Sequence, residues 1–218
     1  MNRQSSDDFV PAAPLLWSYD VLSFVLSGTR RWRPALLAQL DPFPGDVVAD
    51  IGCGTGTQLR LVARVCPSAT LIGIDPDPAI RERARTKLVR VSRPVKLLAG
   101  YARDSADLLR GHGVTKVMSS LVFHQVPIEE KRAGLAGIYE ALTSGGSLHV
   151  ADYGLQRTAK MRKRFRIVQR GDGFENTEPN AQGVLPELMA EVGFGNVEET
   201  HVFETITGSI SIYRAQHL

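Results

Sequence analysis

The run Asp50-Ile51-Gly52-Cys53-Gly54-Thr55-Gly56 has the residue types of a small-molecule cradle. Glycine admits φ > 0 and carries no β-carbon to block a ligand. Asp50 stands immediately before the first glycine, so the loop offers a carboxylate. A pyrophosphate favours a bare helix N-terminus; a cation favours the carboxylate. The dinucleotide fingerprint GxGxxG would also put its third glycine at position 57, where the chain has Thr57. A second acid, Asp75, closes the next apolar run, Leu71 to Ile74. A carboxylate there can accept hydrogen bonds from both hydroxyls of a ribose. Its competing use is as a helix cap, which Asp77 is better placed to serve. Together the two acids suit a ligand with a ribose and a cation but no phosphate.

These residues need a scaffold that brings successive strand ends side by side. Val47 to Ile51, Thr70 to Ile74, Val95 to Ala99, Thr115 to Leu121 and Ser147 to Ala151 read as buried strands. Between them lie helical stretches at 57–66, 77–91, 103–110 and 128–143, the last closed by Gly145-Gly146. Strands that are apolar throughout and alternate with helices imply a parallel sheet covered on both faces. A helix at 184–192 and strands at 197–202 and 209–213 complete the pattern. Residues 171–183 show little periodicity and read as a substrate-facing loop. Upstream, 14–27 has helical apolar spacing and 32–40 a second short helix, before Pro42, Pro44 and Gly45 break the chain. The expected division is a helical lid over 1–40 and one catalytic unit over 41–218.

Composition narrows the class. The 218 residues are 43% hydrophobic and 22% charged, as in an ordinary globular domain. No apolar run reaches the roughly 18 residues of a membrane span, and the polar start, Met1 to Asp8, does not read as a signal peptide. Two cysteines, Cys53 and Cys66, give no disulfide framework, so the expected compartment is the cytoplasm. Cys53 reads as a small filler within the turn. No HExxH, CxxC or GxSxG pattern occurs, so neither a metal site nor a serine elbow is expected. The basic residues cluster in two runs, one over 81–93 and one over 157–170. They read as solvated helix faces, or as a patch for nucleic acid or anionic lipid.

The chain resembles the class I S-adenosylmethionine-dependent methyltransferases, and within them the quinone-biosynthesis (UbiE-type) group. VVADIGCGTG carries the first motif and LIGIDPDP the second. KLLAGYARD stands where the adenine is met, VMSSLVFHQVP follows the fourth strand, and ALTSGGSLHVADYG matches the turn and fifth strand. The resemblance implies an α/β, Rossmann-like fold with a seven-stranded, mostly parallel sheet whose last strand is antiparallel. It implies S-adenosylmethionine as cofactor and S-adenosylhomocysteine as product. It places Asp50, Gly52, Cys53, Gly54, Asp75, Pro76, Tyr101, Ala102, Ser119 and Leu121 around the cofactor. Tyr101 departs from the family, which carries an acid there, so the backbone at Ala102 and the Tyr101 ring would hold adenine. Ser144 replaces the proline of the usual turn.

The N-terminal helices of the family fold over the cofactor, so Tyr19 and Arg31 would either close the site or pack. His124, at the mouth of the site, is either a general base or a packing residue; His149, inside a strand, reads as structural. The expected acceptor is a small aromatic, phenolic or quinone-like molecule, with Tyr19, Phe24, Phe123, Tyr153 and Phe174 near the mouth. Peripheral membrane contact and a monomeric or homodimeric state are compatible with the sequence. The rivals are an RNA or protein methyltransferase and a non-catalytic cofactor-binding scaffold. Nucleic acid is disfavoured because the two basic helices follow different strands and would cover opposite faces of the sheet.

Overall fold

Val48 and Ala49 are adjacent in one strand, fully buried, and packed into two different cores. Neighbouring side chains of a strand point to opposite faces, so this strand is covered on both. The computed structural model describes residues 29–91 and 93–218. Its elements run α1 (Thr29–Leu40), β1 (Val47–Ile51), α2 (Thr57–Val65), β2 (Thr70–Ile74), α3 (Pro78–Leu88), β3 (Lys96–Leu98), α4 (Ser105–Leu108), β4 (Val114–Ser120), α5 (Ile128–Ala141), β5 (Leu142–Tyr153), α6 (Ala159–Asp172), α7 (Phe174–Gln182), α8 (Leu185–Glu191), β6 (Gly195–Thr205) and β7 (Gly208–Gln216). Short 3-10 turns at Ala102–Asp104 and Phe123–Gln125 follow β3 and β4.

The strands form one sheet in the order β3-β2-β1-β4-β5-β7-β6. Pairings from β3 to β5 are parallel, and β7 runs antiparallel to both β5 and β6. This is the Rossmann-like, mostly parallel sheet with an antiparallel last strand that the resemblance implies. On one face α5 and α8 bring Leu135, Ile138, Leu185 and Leu188 against Ala49, Ile72 and Val117. On the other, Leu59 and Val62 of α2 and Ala84 and Leu88 of α3 meet Val48, Leu71 and Met118. A third cluster joins Trp32 and Leu36 of α1 to Phe165 of α6 over Ala151 and Ile212.

Two local expectations change. The stretch 171–183 is not a loop: Phe174–Gln182 is helical, entered through Gly173 (φ +86°). Its polar sequence hides the pattern because its inward side chains, Thr177 and Asn180, are themselves polar. Gly145-Gly146 does not close the preceding helix. That helix ends at Ala141, Leu142 is already extended, and the glycines lie in β5 where its register with β4 shifts. Trp32, Leu36 and Leu40 of α1 are buried on the core. The expected helix over 14–27, with Tyr19 and Phe24, lies outside the described residues.

Candidate cofactor site

The strand order reverses between β1 and β4, the place where open parallel sheets bind ligands. The loop leaving β1 is pinned there by its own backbone. Gly52 and Cys53 donate to the Ile74 carbonyl at 2.8 and 2.9 Å, so the loop folds back on the end of β2. Gly54 then donates to Asp75 Oδ2 at 2.9 Å, and the Asp77 amide donates to Asp75 Oδ1 at 3.0 Å. Each Asp75 oxygen thus accepts one amide and keeps a second lone pair, the acceptor set two ribose hydroxyls require. Asp77 caps α3 by accepting from Ala79 and Ile80 at 2.7 and 3.2 Å, which frees Asp75 from that role. Burial holds the Asp75 carboxyl above its ordinary pKa, against the two amides. Gly54 sits at φ +52°, and a β-carbon there would meet nothing within 4 Å. The space above the loop is open.

Asp50 lies beneath this space, 1% exposed. Its Oδ1 has no hydrogen-bond partner among the described residues. Burial pushes its pKa up to about 8, against the pull of Arg33 and with a further push from Asp75. A buried carboxyl oxygen left open at the ends of parallel strands is free to take a donor from a ligand, and a cationic donor would favour its ionised form. An open glycine cradle, an acceptor-only ribose partner and an unsatisfied acid fit S-adenosylmethionine, whose methionine part carries an ammonium.

The remaining expected positions fall into three groups. Tyr101 and Ala102 follow β3, beside Asp75, whose amide donates to the Leu98 carbonyl. The Tyr101 amide is held by Asp104 at 2.8 Å, and its ring lies 4.5 Å from the Arg103 guanidinium. Ser119 is buried and donates to the Ile51 carbonyl at 2.8 Å, tying β4 to β1. Leu121 follows β4 with φ +58°, an uncommon conformation for a leucine that turns the chain sharply at the crevice. Pro76 sits between the two working aspartates, and Cys53 is a buried thiol kept neutral by burial, as a filler should be. Arg31 is not brought to the site. It donates to the Glu204 carbonyl at 3.5 Å and lies over Phe203, on the far edge strand β6. Arg33, two residues on, is the α1 arginine whose charge reaches Asp50, and sequence reasoning passed over it.

His124 is gripped on both sides. Its Nδ1 lies 2.7 Å from Asp152 Oδ1 and its Nε2 3.3 Å from Asp172 Oδ2. Asp152 is itself saturated, since it also accepts the amides of Val122, Phe123 and Tyr153 at 3.1, 2.7 and 2.7 Å. Burial would push the His124 pKa down, but the two carboxylates outweigh it and hold it up at about 9. At neutral pH both ring nitrogens therefore donate, and neither has a lone pair for a substrate proton. Its geometry is that of a clamp between the β4 loop and the end of α6. Beside it Lys131, buried, donates to the carbonyls of Val126 and Asn176 at 2.7 and 2.8 Å and to that of Phe123. His149 is structural as expected, between Gln39 at 3.1 Å and Ser147 at 2.9 Å, with burial lowering its pKa to about 3. Of the aromatics expected at the mouth, Phe123 and Tyr153 are buried in the core while Phe174 is exposed.

Comparison with known proteins bears on the same segment. Residues 48–146 match a family model described as a methyltransferase domain. Trans-aconitate 2-methyltransferase of Sinorhizobium fredii is 30% identical over 138 residues, 61% of this chain and 49% of that protein. Carboxy-S-adenosyl-L-methionine synthase of Trichodesmium erythraeum is 29% identical over 131 residues, 59% of this chain and 48% of its own length. The chain thus spans about half the length of these curated relatives. Among solved structures, magnesium protoporphyrin IX methyltransferase from Synechocystis, with bound S-adenosylhomocysteine, superposes with a TM-score of 0.65 at 17% identity, covering 88% of this chain and 84% of that one. An O-methyltransferase family protein from Burkholderia thailandensis gives 0.65 at 18% identity, covering 86% and 57%. At such identities the likeness is one of fold. The chain has the Rossmann-like fold of these methyltransferase structures, and its residues 48–146 match the methyltransferase-domain model.

Proposed function

We propose that this chain binds S-adenosylmethionine and transfers its methyl group to a small-molecule acceptor. The observation that carries the reading is the buried Asp50 with an open oxygen beside the Gly54 cradle and Asp75. When bound, the cofactor supplies an already activated sulfonium methyl. The protein's contribution is then placement, which can be worth roughly 7–11 kcal/mol when reacting atoms are aligned. Asp75 holds the ribose end, Asp50 anchors the ammonium end, and the turn at Leu121 borders the crevice on the acceptor side. No proton need move unless the acceptor must lose one. In that case the base is a group other than His124, whose nitrogens are both engaged.

Quinols and hydroxylated aromatics are the acceptors to test first, on the similarity of VVADIGCGTG, LIGIDPDP and VMSSLVFHQVP to the quinone-biosynthesis group. Small carboxylic acids come next, because a relative is a trans-aconitate methyltransferase. Calorimetry should show S-adenosylhomocysteine bound in the micromolar range, about −8 kcal/mol. Asp75→Ala should weaken it by about 1.5–3 kcal/mol through two lost charge-assisted hydrogen bonds. Absence of binding, or equal binding by the variant, would overturn the cofactor assignment. Labelled-methyl transfer to tRNA alone, in a panel that also holds quinols, phenols and carboxylic acids, would overturn the small-molecule acceptor.

A further inference from the structure

The basic residues of the 157–170 run divide by position. Arg157 pairs with Glu199, Arg162 lies 3.3 Å from Glu178, and Arg164 lies 3.6 Å from Glu204 and donates to the Thr205 carbonyl at 3.0 Å. Lys160, Lys163, Arg166 and Arg170 are exposed and have no ion pair among the described residues. Helical spacing explains the split. Met161, Phe165 and Asp172 turn inward, the first two into the core and the last to His124. Lys163, Arg166, Ile167 and Arg170 fall on the opposite side of α6.

Two large apolar side chains stand among these cations: Ile167, 56% exposed, and Phe174 at the start of α7, 61% exposed. Between the helices lies a cavity of about 220 Å³, lined by Arg162, Phe165, Arg166, Gln169, Phe174 and Glu178. The cavity's acid is already occupied, since Glu178 accepts from Arg162, Gln169 and Gln182 at 3.3, 2.8 and 3.1 Å. Arg166 is the cation left over at this cavity. Glu175 is the one exposed acid on α6 and the first turn of α7.

We propose that this face of α6 and α7 docks on an anionic lipid bilayer. Arg166 meets a lipid phosphate at the cavity, Lys163 and Arg170 face the surrounding negative charge, and Ile167 and Phe174 enter the acyl boundary. Cations interleaved with exposed apolar side chains on one helix face are the pattern of an interfacial helix. A nucleic acid would use the cations but gain nothing from an exposed isoleucine. Contact would be superficial, because no helix among the described residues is long and apolar enough to cross a membrane. Docking would bring the bilayer alongside the crevice, since α6 ends at the Asp172 that holds His124.

The test is co-sedimentation of the full chain with vesicles of pure phosphatidylcholine and with vesicles in which about a third of the lipid is phosphatidylglycerol. Binding should require phosphatidylglycerol and fall as salt rises. Lys163→Glu/Arg166→Glu should lower partition by about 20-fold or more, at about 1 kcal/mol for each cation lost near the surface. Ile167→Ser/Phe174→Ser should lower the part that survives added salt. Arg83→Glu/Arg90→Glu, the same charge change at the other basic run, should leave partition within about twofold. Both α6–α7 variants should keep the wild-type melting temperature, which separates a lost surface from a lost fold. Equal binding to both vesicle types, or an equal loss at Arg83 and Arg90, would overturn the proposal. So would retention by tRNA without retention by vesicles.

Discussion

Asp50 shows how one residue can be poorly placed for the free protein and well placed for a ligand. Its burial raises its pKa to about 8, so the carboxyl is mostly neutral at pH 7 in the free protein. An ammonium against its open oxygen favours the carboxylate, lowers that pKa and expels a proton. Affinity for S-adenosylhomocysteine should therefore rise with pH up to about 8, falling by about tenfold for each unit below it over the range where the acid stays protonated. Calorimetry in buffers of different ionisation enthalpy should register proton release near neutral pH. Asp50→Asn should bind more weakly and lose the proton release. Release undiminished in Asp50→Asn would place the proton on another group.

At the scale of elements, α1 belongs to the core. Trp32 and Leu36 are fully buried against Ala151 and Ile212, and Gln39 reaches across the sheet to His149 and the Tyr213 carbonyl at 3.1 and 3.0 Å. Trp32→Ala should cost about 3–5 kcal/mol in denaturant unfolding, the range for a large buried aromatic. A loss below about 1 kcal/mol would make α1 a detachable cover. The elements beyond β5 also pack by apolar area, Phe165 of α6 and Ala181 of α7 in the third cluster and Leu185 and Leu188 of α8 in the first, and α6 and α7 carry polar links besides. Asp172 at the end of α6 and the Asn176 carbonyl in α7 are reached by His124 and Lys131 from the turn after β4 and from α5. One link is an ion pair with a partly exposed carboxylate and the other a buried ammonium on backbone carbonyls, and both tie the helices beyond β5 to the turn after β4.

Across the whole molecule, four buried groups carry the pH dependence of stability; one of them, His149, lowered from 6.5 to about 3, adds stability that is complete only above pH 6.5 and so opposes a fall near pH 6. His124 is raised from 6.5 to about 9, so its contribution is complete below pH 6.5 and lost as pH rises through 9. Asp50 is raised from 3.8 to about 8, so the fold favours its protonated form and loses that contribution as pH rises through 8. Lys131 is lowered from 10.5 to about 8, which opposes His124 and Asp50, but only above pH 8. Stability should thus fall between pH 6 and 8, by on the order of 3 kcal/mol or about 6–12 °C in melting temperature. Saturating S-adenosylhomocysteine should offset part of this fall, because bound Asp50 is already ionised. A melting temperature that is flat or rises over this interval in the free protein would show that these groups do not keep their shifted ionisation in the fold.

Much of the architecture is legible in the sequence because its causes are local. Runs such as VVADI and TLIGI, short, β-branched and apolar, read as strands buried on both sides, and the helices between them favour parallel pairing. The loop after β1 and the acid at the end of β2 declare the cofactor side, since glycines and a carboxylate at strand ends act through their own backbone and position. The acceptor side is not legible, because its parts act across the chain. Lys131 sits among charged residues of a helix and gives no sign of being buried; three carbonyls from the β4 turn and α7 make it so. His124 reads equally as a base or as a packing residue, and the sequence does not show that Asp152 and Asp172, 28 and 48 residues away, stand against its two nitrogens. The choice of Arg33 over Arg31 rests on which side of α1 faces the sheet, which the packing of Trp32 and Leu36 decides. Residue type and strand order determined the fold and the cofactor cradle. Which charges meet, and hence which groups keep a free lone pair for chemistry, was decided only when the helices beyond β5 folded back over the end of β4, because electrostatic partnership depends on distance in space and not on spacing along the chain.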